Sequence, residues 1–403
     1  MIVPASARLL RRPFVLYLLG LSGTSLADAV LSVGLPFAVL ANGGGVAQLG
    51  LVVLCASLPR FAALFLGALA DRFPVRPLLV FAALVRTLLV LSVGGYALSG
   101  GRGVVVFAGF ALVNGVLVTL TVAASNIMVP RLVDEQHRSQ GNGLVNGASQ
   151  GVPLVGYGLG GLLVHWVGSG PTLLIAAPLY AVMALLAPML PVTVRTDSAT
   201  HRWSLLQDLA DGWKLMRRQR LLLFNLGLTF ILNLTLNLLN VRSPLFSQEV
   251  GRGAVDYALL ESLFSGGALT GIVGVGLLSR TLSVRWAVAL GLGIFTLGML
   301  AHGIPQLPAW FVASAVTGFG VGLIDVASMT QTQRLVPNGL RGRVTGISMS
   351  MAACGLSLGA VVGGLNWSTT LVMLILGGVL LLLTASYMVI SRSALPTREP
   401  ELI

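Results

Sequence analysis

The chain is divided into apolar runs of about twenty residues, and that pattern limits what it can fold into more than any other. A hydrocarbon layer ~30 Å thick is crossed once by ~20 apolar residues in an α-helix, so each run is long enough for one crossing. Runs bounded by glycine, proline or charge lie near 14–40, 47–70, 77–99, 104–128, 142–166, 171–190, 221–246, 257–279, 286–303, 308–333, 344–366 and 369–391. They predict twelve transmembrane helices, here spans 1 to 12, in an all-α membrane protein. Hydrophobic residues make up 55% of the 403 and charged ones 9%, with a mean hydropathy of +0.90, which leaves no room for a sizeable soluble domain.

The formal charge of +12 would in a soluble chain suggest nucleic acid. Here the basic residues are spread singly through short loops, so they act as orientation signals and nucleic acid is not an expected partner. With the N-terminus cytoplasmic, the inner side collects twenty basic residues, including six in the central linker, whereas the outer side has only Arg102, Arg242 and Arg252. Both termini are therefore expected in the cytoplasm. The start of the chain has a basic n-region and an Ala27-Asp28-Ala29 that imitates a cleavage site. Its apolar run continues to Leu40, so it reads as the first span rather than a signal peptide. Cys55 and Cys354 lie in apolar segments, where a thiol behaves as a small hydrophobe.

Residues 191–220 are the one long polar connection and fall halfway along the chain. They divide a six-helix bundle over 1–190 from another over 221–403. Within the linker, Trp203, Leu206, Ala210 and Trp213 share one helical face, with Asp208, Asp211, Arg217 and Arg218 elsewhere, as expected of a helix lying in the cytoplasmic interface. Shifting the chain by 203 residues lays PRLVDEQHRSQGNG (130–143) on QRLVPNGLRGRVTG (333–346), and the register persists, matching Ser125 with Ser328, Gly156 with Gly359 and Gly160-Gly161 with Gly363-Gly364. An ungapped offset of half the chain is an internal repeat. Two halves in the same orientation are the parallel-repeat plan of a transporter that rocks about a central site.

At the cytoplasmic end of span 2 lies GALADRFPVRP (67–77). Its Gly67, Leu69, Asp71, Arg72 and Arg76 match the G-x-L-x-D-R-x-x-x-R motif between helices 2 and 3 of the major facilitator superfamily, which the whole chain resembles. In the second half GLLSRTLSVR (276–285) keeps Gly276 and Arg285 but places Arg280 where the acid stood. LPFAVLANGG, LPRFAALFLGALADRF and QRLVPNGLRGRVTGI are similar to the branch containing macrolide and siderophore exporters. The resemblance implies a fold of two pseudo-symmetric six-helix bundles. It also implies a cytoplasmic gate in which Asp71 contacts Arg131, with Arg341 or the start of span 11 near Val344 as its other partner. A carboxylate there can accept bonds from a guanidinium or from the free N–H groups of a helix start.

Polar groups facing lipid would be unsatisfied, so a polar stripe on a span points inward. Span 1 carries Ser25, Asp28 and Ser32; span 4 Asn114, Thr121 and Ser125; span 7 Asn233, Asn237 and Asn240; span 10 Asp325, Ser328 and Thr332. Spans 1, 4, 7 and 10 are the cavity-lining helices of the resembled family, and the stripes therefore read as a substrate cavity, against the alternative of interhelical hydrogen bonding. Asp28, Arg60, Arg86 and Asp325 are the ionisable residues placed well inside spans. An unpaired charge there costs at least ~2.5–3.5 kcal/mol, so each should face a partner or water. Arg60 and Arg86 lie at similar depth, and either can pair with Asp28. The pair is then a proton-coupling site or a permanent clip between helices, with Asp325 the second coupling candidate.

Span 5 carries Gly143, Gly156, Gly160 and Gly161 at the intervals of an antiporter signature, but Tyr157 replaces the proline expected after Gly156. Span 4 lacks the arginine of many proton-coupled drug exporters. Both departures bear on coupling, not on transport. His137, His165, His201 and His302 have no metal-ligand spacing, GVGVGLL in span 8 lacks the context of a dinucleotide site, and no Walker A sequence occurs. No cofactor or metal is expected, and a membrane enzyme or a non-transporting receptor is a weaker reading. The sequence predicts a monomeric exporter of amphipathic small molecules in the inner membrane, driven by protons. A facilitator or importer without proton antiport is the alternative.

Overall fold

The computed structural model describes residues 11–63, 65–66, 73–190, 205–278, 282–337 and 340–394. They form thirteen α-helices. Twelve correspond to the apolar runs: span 1 Arg12–Ala41, span 2 Val46–Ser57 continued by a 3-10 turn Leu58–Ala62, span 3 Val75–Leu98, span 4 Val104–Leu132, span 5 Arg138–Val167 and span 6 Ser169–Leu186; then span 7 Arg220–Val250, span 8 Ala254–Leu278, span 9 Val284–Ala301, span 10 Leu307–Leu335, span 11 Arg341–Gly364 and span 12 Thr369–Ala394. The thirteenth, Leu205–Arg218, is the linker helix, and it is strongly two-faced. Ten of the twelve are long and apolar enough to cross a membrane by composition alone. The exceptions are span 2, whose described α-helix is interrupted by the 3-10 turn Leu58–Ala62 before resuming at Ala63, and span 5, diluted by Gln140, Asn142, Asn146 and Gln150.

Local chemistry places the breaks. Pro13 and Pro308 occupy the first turns of spans 1 and 10, where a missing N–H costs no helical bond. Pro59 stands where span 2 tightens from α to 3-10 geometry. Gly168, at φ 86°, joins spans 5 and 6 with no further loop residue, and Gly253, at φ 63°, turns the chain from span 7 into span 8. Large apolar side chains such as Val105 (76% exposed), Leu185 (72%) and Val389 (69%) point outward, a wasteful arrangement in water and the ordinary one in lipid.

The fold is all-α, with twelve spans that follow the two six-helix repeats of the sequence. By packing, the described chain clusters into two compact units that do not follow the linker boundary. The first contains spans 1 to 6 with Leu236–Ser265 and Leu356–Asn366. In it, span 1 packs on spans 5 and 6, span 3 on spans 4 and 6, and span 2 on span 4. The second contains Arg202–Thr235, Gly266–Gly355 and the chain from Trp367 onward. There, span 9 packs on spans 10 and 12. Glycines let helices of this unit meet backbone to backbone: a Cβ on Gly267 or Gly271 would strike the carbonyls of Ala315 or Phe319, and one on Gly355 that of Phe230.

Candidate functional site

Arg86 sits in the middle of span 3 and is 2% exposed, so every polar hydrogen on its guanidinium needs a partner. Three neighbouring spans supply partners for its Nε and Nη2. Its Nε donates to Asn114 Oδ1 of span 4 at 2.9 Å, and its Nη2 donates to the Tyr180 hydroxyl of span 6 at 2.8 Å and to Asp28 Oδ1 of span 1. The guanidinium also lies over the Tyr180 ring, 4.1 Å from its centre. The Tyr180 hydroxyl in turn donates to Asp28 Oδ1 at 2.6 Å, closing a triangle of acid, base and phenol.

The two charges are placed unequally. The Asp28 side chain is 39% exposed whereas that of Arg86 is 2%. Both bonds to Asp28 fall on Oδ1. The arrangement therefore fixes a cation inside the bundle and presents a carboxylate at its edge, where a proton or a cationic group can reach it. Charge-assisted bonds of this kind hold their geometry well, because breaking one leaves a buried charge uncompensated. Of the two arginines at similar depth, Arg86 makes the pair. Arg60 is exposed on the 3-10 turn, turned there by the tighter winding after Pro59.

The polar stripes separate into different roles. In span 1, Ser25 is half-buried, and Ser32 is exposed with its hydroxyl on the Asp28 carbonyl at 2.8 Å. Thr121 and Ser125 of span 4 bond back to Leu117 and Thr121 of their own helix. Asn233 bonds the carbonyl of Thr229. Asn237, expected to line a cavity, is 4% exposed; its amide donates to Ser57 Oγ of span 2 at 2.9 Å and to the Leu356 carbonyl of span 11 at 2.7 Å. This side chain is spent on joining helices. Asn240 is exposed and donates to Asn237 Oδ1 at 3.2 Å. Ser328 is half-buried with no bond to its hydroxyl among the described residues. Asp325 is exposed, and no ion pair to it occurs among the described residues.

At the end opposite the linker, the first unit contains a seam between segments of the two repeats. Gly50 of span 2 meets Gly364 of span 11 so closely that a Cβ on Gly50 would lie 2.7 Å from the Gly364 Cα. One on Gly161 would collide with Ala258 of span 8, while ones on Gly156 and Gly160 would press on Leu26, Ala29, Val30 and Val33 of span 1. The span 5 glycines thus seat that helix between spans 1 and 8. Gly143 has open space around it.

Of the gate residues expected at the linker end, Gly67, Asp71 and Arg72 lie outside the described residues. Arg76 is half-buried at the start of span 3 and Arg131 is exposed in the last turn of span 4. Arg341 donates to the carbonyls of Gln333 (2.8 Å) and Val336 (3.3 Å), capping the negative end of span 10. The sequence gives Tyr157 only as a departure from an antiporter signature, and Tyr180 and Glu261 are not among its candidates. An acid seven residues into span 8 was visible by the rule that found Asp28, whereas the tyrosines gave no such signal, being ordinary in apolar helices.

Twelve spans in two repeats, with a charged centre buried in the first, define a membrane transporter. The family is then direct: the model of the Major Facilitator Superfamily matches residues 17–275 and 226–402, and the chain belongs to that superfamily. It is similar to the multidrug efflux pump Tap of Mycobacterium tuberculosis (strain ATCC 25618 / H37Rv), 27% identical over 374 residues, covering 88% of this chain and 87% of that one. The Tap pump of Mycolicibacterium fortuitum is 25% identical over 369 residues, with coverage of 88% and 89%. Among solved structures, the nucleoside transporter NupG superposes with a TM-score of 0.75 at 15% identity over 95% of this chain and all of that one, a likeness of fold alone.

Proposed function

We propose that the chain is a proton-coupled exporter of amphipathic small molecules, neutral or cationic, working as a monomer by alternating access in the inner membrane with both termini cytoplasmic. The observation that carries this reading is the unequal burial of Asp28 and Arg86. A carboxylate held at the edge of the bundle by a fixed buried cation has two states, ionised on Arg86 or protonated and released from it. Exchange between those states is what coupling to a proton gradient requires. A lipophilic cation and a proton then compete for one charge. Similarity to the Tap multidrug efflux pumps supports export of drug-like small molecules. The excess of basic residues on the linker side supports the orientation.

On this reading the linker side is cytoplasmic, residues 1–190 and 221–403 are the two moving bundles, and the seam at Gly50 and Gly364 parts when the outer side opens. Asp71 with Arg131 and Arg341 is the cytoplasmic latch. The test is efflux of a lipophilic cation from reconstituted vesicles under an imposed pH gradient. Asp28→Asn is expected to abolish the gradient-driven component while leaving insertion intact. Persistence of that component in the variant removes Asp28 from the coupling mechanism.

A further inference from the structure

Glu261 is an acid within the outer seam, and nothing described above uses it. It lies on the face of span 8 that meets span 5. One turn before it, Ala258 packs on Gly161; one residue after it, the Ser262 hydroxyl donates to the Leu154 carbonyl at 3.3 Å. Leu154, Tyr157 and Gly161 share one face of span 5, as Ala254, Ala258, Glu261 and Ser262 share one face of span 8. The carboxyl group is therefore bracketed by two helix contacts.

The groups around it are phenols. The Tyr257 hydroxyl of its own helix donates to the Glu261 carboxylate, and Tyr257 packs its ring on Phe37 of span 1 with centres 5.9 Å apart. From span 5, the Tyr157 phenol lies in the field of Glu261 and also of Asp28, which Arg86 holds from the far side. Arg252, in the turn just before span 8, is bound to Asp256 at 3.1 Å. Among the described residues no arginine or lysine reaches Glu261. A neutral carboxyl group fits this setting, and an ionised one is left without a counter-charge when the helices close over it.

We propose that Glu261 is a second protonation site, and that spans 5 and 8 close the outer seam over it only when it holds a proton. The proposal rests on the proton-coupled reading and adds to it a proton condition on outer closure. A proton taken from outer water neutralises Glu261 before closure, and the same proton leaves to outer water when the seam reopens and the carboxylate is rehydrated. No other bond changes.

The test reads the seam directly. In a full chain with Cys55→Ala and Cys354→Ala, nitroxide labels at Ser99→Cys and Val250→Cys, both exposed at the outer ends of their spans, report distance by double electron–electron resonance. The long-distance population is expected to rise about fivefold from acid to alkaline pH as the seam loses its proton. Glu261→Gln is expected to hold the short distance at both pH values, and Glu261→Asp to keep the response. Tyr257→Phe, which removes only the hydroxyl on the carboxylate, is expected to move the pH at which the population changes. A parent chain with no response, a Glu261→Gln chain that responds like the parent, or an unmoved Tyr257→Phe transition overturns the proposal. Asp28→Asn in the same labelled chain separates the two readings: it is expected to lose gradient-driven efflux and keep the seam's pH response.

Discussion

The two repeats have a common scaffold and unequal chemistry. At the 203-residue offset, Arg86 corresponds to Ala289, Asn114 to Thr317 and Tyr180 to Leu383, while span 7 carries no acid before Glu249. The charged triangle of the first half has no counterpart. What the second half keeps at one of these positions is packing: Thr317 is fully buried against Gly298, with no bond to its hydroxyl among the described residues. Its own polar groups are dispersed, with Asn225 on Gln331 at 3.2 Å, Gln331 on the Tyr387 hydroxyl at 3.1 Å, and Asp325 exposed. A duplicated bundle needs only one half to hold the fixed charge, because a second buried pair would cost desolvation again.

The contrast is broken most severely by Arg86→Ala. It leaves the Asn114 carbonyl and the Tyr180 hydroxyl without their common partner inside the bundle, and the Asp28 carboxylate at its edge without a counter-ion. Loss of one member of a fully buried pair costs ~3–5 kcal/mol, and hydration of the part-exposed acid brings the cost here below that range. The first half is expected to become unstable, read as a fall in detergent-solubilised yield and melting temperature. Ala289→Arg in the second half, where no acid waits, is expected to be at least as damaging. If Arg86→Ala melts like the parent, the triangle contributes little to the fold.

A smaller effect distinguishes the halves by pH. His302, just past the end of span 9, is 2% exposed, edge-on to Trp310 with ring centres 5.0 Å apart, its Nδ1 on the Gly298 carbonyl at 2.9 Å. Burial lowers its pKa from 6.5 to about 4. The unfolded chain therefore binds a proton here before the folded one does, and stability falls as pH drops from about 6.5 towards about 4. The expected loss at pH 5 is about 2 kcal/mol. Ser99, the corresponding residue of the first half, carries no such group. Chemical denaturation of the parent and of His302→Gln at pH 8 and pH 5 checks this: the variant should show about 2 kcal/mol less pH sensitivity. Equal sensitivity places the acid lability elsewhere.

The spans were legible in the sequence to within a few residues because the hydrocarbon layer imposes a length on every apolar run. Span 2, read as 47–70, runs as α-helix over Val46–Ser57, tightens to 3-10 geometry over Leu58–Ala62 around Pro59, and is α-helical again at Ala63, Phe65 and Leu66. The site was half legible. Depth along a helix can be counted from its ends, and that count brought Asp28 and Arg86 to one level, where they are bonded. Rotation about the helix axis is set by packing, and that decided that Arg86 and not Arg60 meets Asp28. The same rotation turned Asn237 into a seam residue. A polar stripe in sequence does not distinguish a cavity wall from a hydrogen-bonded helix contact, since both need the side chain away from lipid.

Asp325 is where the smallest effect is expected, and the reason lies in its surroundings. It stands on span 10 with its side chain exposed and no counter-ion among the described residues, so neither a fixed cation nor a closed seam depends on its charge. Asp325→Asn should leave the melting temperature within the ±0.5 kcal/mol typical of an exposed substitution. Transport should then divide by cargo. For a lipophilic cation, loss of one attracting carboxylate is expected to raise KM by roughly threefold to tenfold, the ~1 kcal/mol of a solvent-exposed charge pair. For a neutral amphiphile KM should stay as it was, and the pH-gradient dependence should persist for both. Asp28→Asn is expected to remove that dependence for either cargo. If Asp325→Asn removes it too, the second repeat carries a coupling carboxylate of its own, and the division of labour between the halves fails.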